Sequence, residues 1–93
     1  MPGRLAASAF TTGHSMKSYS IDQVLDTSGL SCPLPLLKAK QALNKLEKGQ
    51  FLQVVATDAG SVRDFKAYTD QAAHTLLESR EEGDRYIYVI QRG

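Results

Sequence analysis

From Tyr19 onward the apolar positions alternate between a two-residue and a helical period. Tyr19 to Asp26 places Tyr19, Ile21 and Leu25 on one face of an extended segment, which predicts a first strand. Thr27 to Ser31 is a loop opened by Gly29. Over Pro33 to Lys48 the period changes. Leu36, Ala39, Leu43 and Leu46 recur at helical spacing, while Lys38, Gln41, Lys45 and Lys48 form a separate solvent-facing stripe. Gly49 is expected to end this helix, with Lys45 and Lys48 in a last turn where cations suit the dipole. Phe51 to Ala56 is a short apolar run of the kind a buried strand shows.

The second half repeats the alternation. Thr57 to Gly60 reads as a loop, and Ser61-Val62-Arg63-Asp64 resembles a capping box, with Ser61 at a helix start and Asp64 three residues on. Val62, Phe65, Thr69, Ala72 and Ala73 mark the buried face of that helix, which runs to about His74. Thr75 to Glu81 is a third strand and Glu82-Gly83-Asp84 a turn. Arg85 to Gln91 is a fourth strand, rich in β-branched and aromatic residues. The order β-α-β-α-β-β predicts an α/β (α+β) two-layer sandwich: a four-stranded mixed sheet with two helices on one face.

Composition narrows the function classes. The 93 residues are 42% hydrophobic and 23% charged, with a net charge of +1, as expected of one ordinary globular domain. Bulk charge therefore argues against a nucleic-acid binder. No apolar run approaches the roughly 18 residues that span a membrane. Residues 1–17 have no acidic residue and no clear period, and Leu5 to Phe10 is too short for a secretory signal core. They are expected to be a disordered leader or an expression remnant, with a docking extension or a targeting peptide as alternatives. The folded domain is then 18–93.

One cysteine, Cys32, cannot form an internal disulfide or a dithiol cycle. It sits in Gly29-Leu30-Ser31-Cys32-Pro33-Leu34-Pro35, at a helix start where cysteine is not a favoured cap. If the helix starts at Pro33, Cys32 is its N-cap; if it starts at Pro35, Cys32 lies one step outside. A thiol at such a start feels the positive end of the dipole, which favours the thiolate, although Pro35 removes a second amide donor near the sulfur; the two prolines hold the thiol stiffly on an exposed loop. The bland alternative is a small buried hydrophobe. His74 lies too far along the second helix to serve as the base of a cysteine hydrolase. His14 and His74 are not at metal-ligand spacing with Cys32, so no metal is expected. Tyr86 and Tyr88 alternate on a strand; sheet packing is expected of them before base stacking.

Leu25-Asp26-x-x-Gly29-Leu30-x-Cys32-Pro33-x-Pro35, followed by a lysine-bearing helix, resembles the TusA/SirA-like sulfur-carrier family. The similarity runs from Val24 to the C-terminus and includes the Asp58 loop, the Ser61–Asp64 helix start and the Ala73-His74-x-Leu76-Leu77 segment. The resemblance implies a persulfide carried on Cys32, with Gly29, Pro33 and Pro35 as motif support and no cofactor beyond that covalent sulfur. It implies sulfurtransferase-type chemistry in a carrier rather than a conventional turnover enzyme. The donor would be a cysteine desulfurase or rhodanese-like protein and the recipient a downstream acceptor protein, with tRNA thiolation as one destination. A cytoplasmic monomer without membrane or direct nucleic-acid contact is expected. Lys38, Lys40 and Asp58 are candidates for steering partners by charge. Two positions depart from the family pattern: Ala59 follows Asp58 where proline is usual, and Ala73 precedes His74 where glycine is frequent. The competing class is a non-catalytic protein- or RNA-interaction or regulatory module, and a weaker one is a peroxide-responsive redox sensor.

Overall fold

The structure, a computed structural model, describes residues 19–93. The leader expected over 1–17 lies outside them. Strands β1 (Gln23–Thr27), β2 (Phe51–Ala56), β3 (Thr75–Glu82) and β4 (Arg85–Gln91) and helices α1 (Leu34–Lys45) and α2 (Gly60–Gln71) follow the order β1-α1-β2-α2-β3-β4. The sheet order is β1-β2-β4-β3. β1 runs parallel to β2, with Thr27 opposite Ala56; β2–β4 and β3–β4 are antiparallel. This is the expected mixed sheet.

Alternation on β2 decides which face is covered. Leu52, Val54 and Ala56 are fully buried, and their cross-strand partners Ile90, Tyr88 and Tyr86 share that face. Ala39, Ala42 and Leu43 of α1 and Phe65 of α2 join them in one core cluster, so both helices cover the same side. Tyr88 is fully buried and stacks on Phe65 at 4.4 Å between ring centroids. It is a core residue and offers no platform for a base.

Several boundaries differ from the sequence pattern. β1 is shorter than Tyr19–Asp26, and Tyr19 is not on the Leu25 face. It stacks on Phe51, at 4.8 Å, and its hydroxyl bonds to Glu78 of β3, so it bridges β2 and β3 across the opposite side of the sheet. α1 stops at Lys45 instead of Lys48. Leu46 is already extended, and Glu47 to Gln50 forms a turn closed by the Gln50 N–H on Glu47 O at 3.0 Å. Gly49 takes the positive φ of 89° inside that turn rather than at the helix end. Leu43 O, in the last turn, accepts both the Leu46 amide at 3.1 Å and the Arg92 guanidinium at 2.8 Å.

α2 also departs. It ends at Gln71, not near His74, because Ala72 is extended. Val62 is 42% exposed and Ala73 is exposed, so neither lies on the buried face. That face is set by Ser61 and Phe65, which meet Tyr88. The capping box does not form. The N-cap is Ala59, without a side-chain cap bond. The Ser61 hydroxyl bonds instead to Asp58 O and to the Tyr88 hydroxyl, each at 2.7 Å. Asp64 is thereby left for another partner.

Candidate functional site

The parallel pairing of β1 with β2 brings two loops together at the carboxyl ends of those strands, 28–33 and 57–59. Open α/β sheets place their ligand crevices at such ends. The first loop starts with a turn in which the Leu30 N–H bonds to Thr27 O at 3.1 Å. Gly29 supplies a φ of 84° there, the conformation this turn position reserves for glycine. Its amide donates to Thr57 Oγ1 at 2.9 Å, tying the first loop to the second. Asp26 accepts from the Ser28 hydroxyl (2.6 Å) and amide (3.0 Å); these bonds, the hydroxyl's first, hold its carboxyl below the usual range.

Cys32 follows on an exposed turn. The Cys32–Pro33 peptide is cis, and the Leu34 amide donates to Ser31 O at 2.8 Å. The N-cap of α1 is Pro33, and Pro35 falls in the first turn. The helix thus starts at Leu34, between the two starts the prolines suggested, and Cys32 lies one residue outside the cap. The buried-hydrophobe alternative does not hold for it.

The second loop and α2 surround the sulfur. The Cys32 amide donates to Asp58 Oδ2 at 3.2 Å, and the Cys32 thiol bonds to Asp64 Oδ2. Gly60 makes this approach feasible. A Cβ there would stand 2.9 Å from Asp58 Oδ2, 3.3 Å from Cys32 Cβ and 3.7 Å from Sγ. The thiol thus packs against the start of α2, not α1.

The electrostatics reverse the expectation of a dipole-favoured thiolate. The hydrogen bond to Asp64 pushes the Cys32 thiol above its ordinary value, with desolvation and the charges of Asp64 and Asp58 adding to it; only Arg63 opposes. A carboxylate beside a thiol disfavours a second negative charge, which is the reason for the upward shift.

The other candidates scatter. Asp58 belongs to the site through the Cys32 amide. Lys38 is simply exposed. Lys40 rests over the Tyr68 ring, 5.1 Å from its centroid. His74 accepts the Gly93 amide on Nδ1 at 3.0 Å, away from Cys32. Among the described residues no group of three or more His, Cys, Asp or Glu could hold a metal ion, and no helix is long and apolar enough to cross a membrane. Leu34 and Leu37 near the start of α1 and Val62 near the start of α2 are 42–45% exposed, forming an apolar rim at this end of the molecule.

Sequence reasoning missed Asp64 and Gly60 as site residues. Asp64 looked like half of a cap. Its contact spans 32 residues, across the whole of α1 and β2, so no local pattern reports it.

Comparison with known proteins gives the family and the fold. The family model described as Sulfurtransferase TusA matches residues 23–92. The chain is 52% identical over 71 residues to the sulfur carrier protein TusA of Allochromatium vinosum, covering 76% of this chain and 93% of that one. It is 35% identical over 75 residues to the sulfur carrier protein TusA of Pseudomonas aeruginosa, covering 81% and 95%. The crystal structure of a SirA-like protein from Desulfitobacterium hafniense shares the fold, with a TM-score of 0.67, 23% identity and coverage of 76% of this chain and 97% of that one. A family match across both helices and all four strands, together with such identity over nearly the full length of the relatives, shows that the chain belongs to the TusA sulfurtransferase family.

Proposed function

We propose that this chain is a sulfur carrier that accepts a persulfide sulfur on Cys32 and passes it to an acceptor protein. The observation that carries the reading is an exposed thiol on a two-proline turn. Relatives bearing the carrier name support it. In loading, the Cys32 sulfur attacks the outer sulfur of the donor's persulfide. A new S–S bond forms to Cys32, the donor's S–S bond breaks, and the donor's inner sulfur leaves as a thiolate that takes up the proton Cys32 lost. Sulfane sulfur moves and no external oxidant is needed. The reverse attack, by an acceptor thiolate on the outer sulfur, unloads the carrier. One cysteine suffices for both steps.

The donor class is a cysteine desulfurase or a rhodanese-like protein, both of which present a persulfide inside a pocket. A thiol on a narrow, stiff turn reaches such a pocket. The acceptor is a protein with a reactive cysteine, and thiolation of a tRNA uridine is one destination. A peroxide sensor fits less well. Sensor cysteines are accessible and low in pKa, whereas the acidic neighbours of Cys32 push the other way.

The test separates a carrier from an interaction module. A cysteine desulfurase charged with sulfur-35-labelled cysteine should label the wild type, in a form released by dithiothreitol, and should leave Cys32→Ser unlabelled with an unchanged fold. Equal labelling of wild type and Cys32→Ser, or none of either, would contradict the carrier.

A further inference from the structure

In a carrier the Cys32 sulfur must attack, yet here it is hydrogen-bonded to a carboxylate. The charged groups facing it are Asp58 from the β2–α2 loop and Asp64 and Arg63 from α2. Asp58 engages the backbone amide; only Asp64 touches the thiol itself. Asp64 is also accessible from a second side. It lines a cleft of about 260 Å³ between α1 and α2 together with Leu36, Lys40, Ala67, Tyr68 and Gln71. The cation already in that cleft, Lys40, is held over the Tyr68 ring. The cleft therefore opens on an acidic group whose recorded partner is the reactive sulfur.

We propose that Asp64 is a proton lock on Cys32. Its carboxylate keeps the sulfur of the idle carrier in the thiol form. A cationic side chain of the docked sulfur donor, entering the α1–α2 cleft, frees that sulfur by pairing with Asp64. This rests on the carrier reading for its second half and on the geometry alone for its first. A thiol is a weak nucleophile and the thiolate a strong one. An exposed single cysteine held as a thiol resists oxidation and stray mixed disulfides between encounters. Pairing Asp64 with a donor cation removes both the hydrogen-bond acceptor and the repelling charge, so the proton departs and the sulfur can attack. The lock opens only on a surface that carries a suitably placed cation, which makes Asp64 a determinant of partner choice as well as of reactivity.

The variant is Asp64→Asn, checked for folding by circular dichroism, with Asp58→Asn as comparator. Two rates are measured: alkylation of Cys32 by iodoacetamide as a function of pH, and persulfide loading from a cysteine desulfurase with free cysteine, read by intact mass. Asp64→Asn should move the alkylation midpoint to lower pH and speed alkylation several-fold near neutrality, with a smaller shift in Asp58→Asn. Loading from the desulfurase should fall instead, since Asn leaves the donor's cation without its carboxylate partner. An alkylation midpoint that stays put or rises in Asp64→Asn overturns the lock. Loading that rises in parallel with alkylation overturns release by the donor. A wild type that takes no sulfur at all, with the alkylation shift intact, contradicts the carrier reading and release by the donor while leaving the lock standing.

Discussion

Cys32, Asp64 and Ser61 divide the work of the site and the core between them. Cys32 is exposed, so its replacement removes chemistry and little packing. Cys32→Ser should change the unfolding free energy measured in urea by no more than about 0.5 kcal/mol, the range of ordinary surface changes. A loss above about 2 kcal/mol would show that the thiol is structural after all. Ser61 is the reverse case. It is 1% exposed and bonds to the hydroxyl of the fully buried Tyr88. Ser61→Ala should cost about 1–3 kcal/mol, because it leaves a buried hydroxyl unpaired. In a Tyr88→Phe background the same change should cost much less, and equal costs in both backgrounds would contradict the pairing. Cysteine beside two prolines was legible in the chain as a candidate site. The sign of its electrostatics was not, because the carboxylate that sets it lies on another helix, 32 residues away.

At the scale of elements, the two loops act as one platform because β1 and β2 pair in parallel and end together. Gly60 is where they touch. Gly60→Ala would put a Cβ within 2.9 Å of Asp58 Oδ2 and 3.3 Å of Cys32 Cβ. The Asp58 carboxylate is the part able to yield, so the variant should stay folded, lose the Asp58 bond to the Cys32 amide, and shift both that amide's NMR resonance and the alkylation rate of Cys32. An unchanged resonance and rate would mean that the two loops are not coupled. The strands β2 and β4 were legible to the residue, since their apolar runs are packed on both flanks by other strands. α1 and α2 were legible in kind but not in extent. Their ends are decided by a tight turn at Glu47–Gln50 and an extended Ala72, neither of which interrupts the helical spacing. The false capping box has the same origin: Ser61 is spent on a tertiary hydrogen bond that a local motif cannot foresee.

Over the whole molecule, the sheet holds its helices through one core cluster, and titrating groups within that core and around it set the pH range of stability. Burial pushes the Tyr88 hydroxyl up, against a lowering bond from Ser61. A group raised in the folded state stabilises the fold fully below its unfolded value, and that stability is lost as pH rises through the folded value. His74 is lowered, by burial first and then by the charge of Arg92. Its neutral ring accepts the Gly93 amide, so its contribution is present above the unfolded value and lost as pH falls. Urea midpoints should therefore be flat between about pH 6.5 and about pH 8.5, decline on the acid side with His74, and decline on the alkaline side first with the raised Cys32 thiol and then, above about pH 10, with Tyr88. The alkaline decline should be weaker in Tyr88→Phe once its lower baseline is subtracted. A decline of equal steepness would contradict the role given to Tyr88. The central claim concerns the sulfur, and intact mass tests it most directly. After incubation with a cysteine desulfurase and free cysteine, without reductant, the account predicts a species one sulfur atom heavier, removed by dithiothreitol and absent from Cys32→Ser. A protein whose mass is unchanged by several persulfide donors, while iodoacetamide still modifies Cys32, would contradict it.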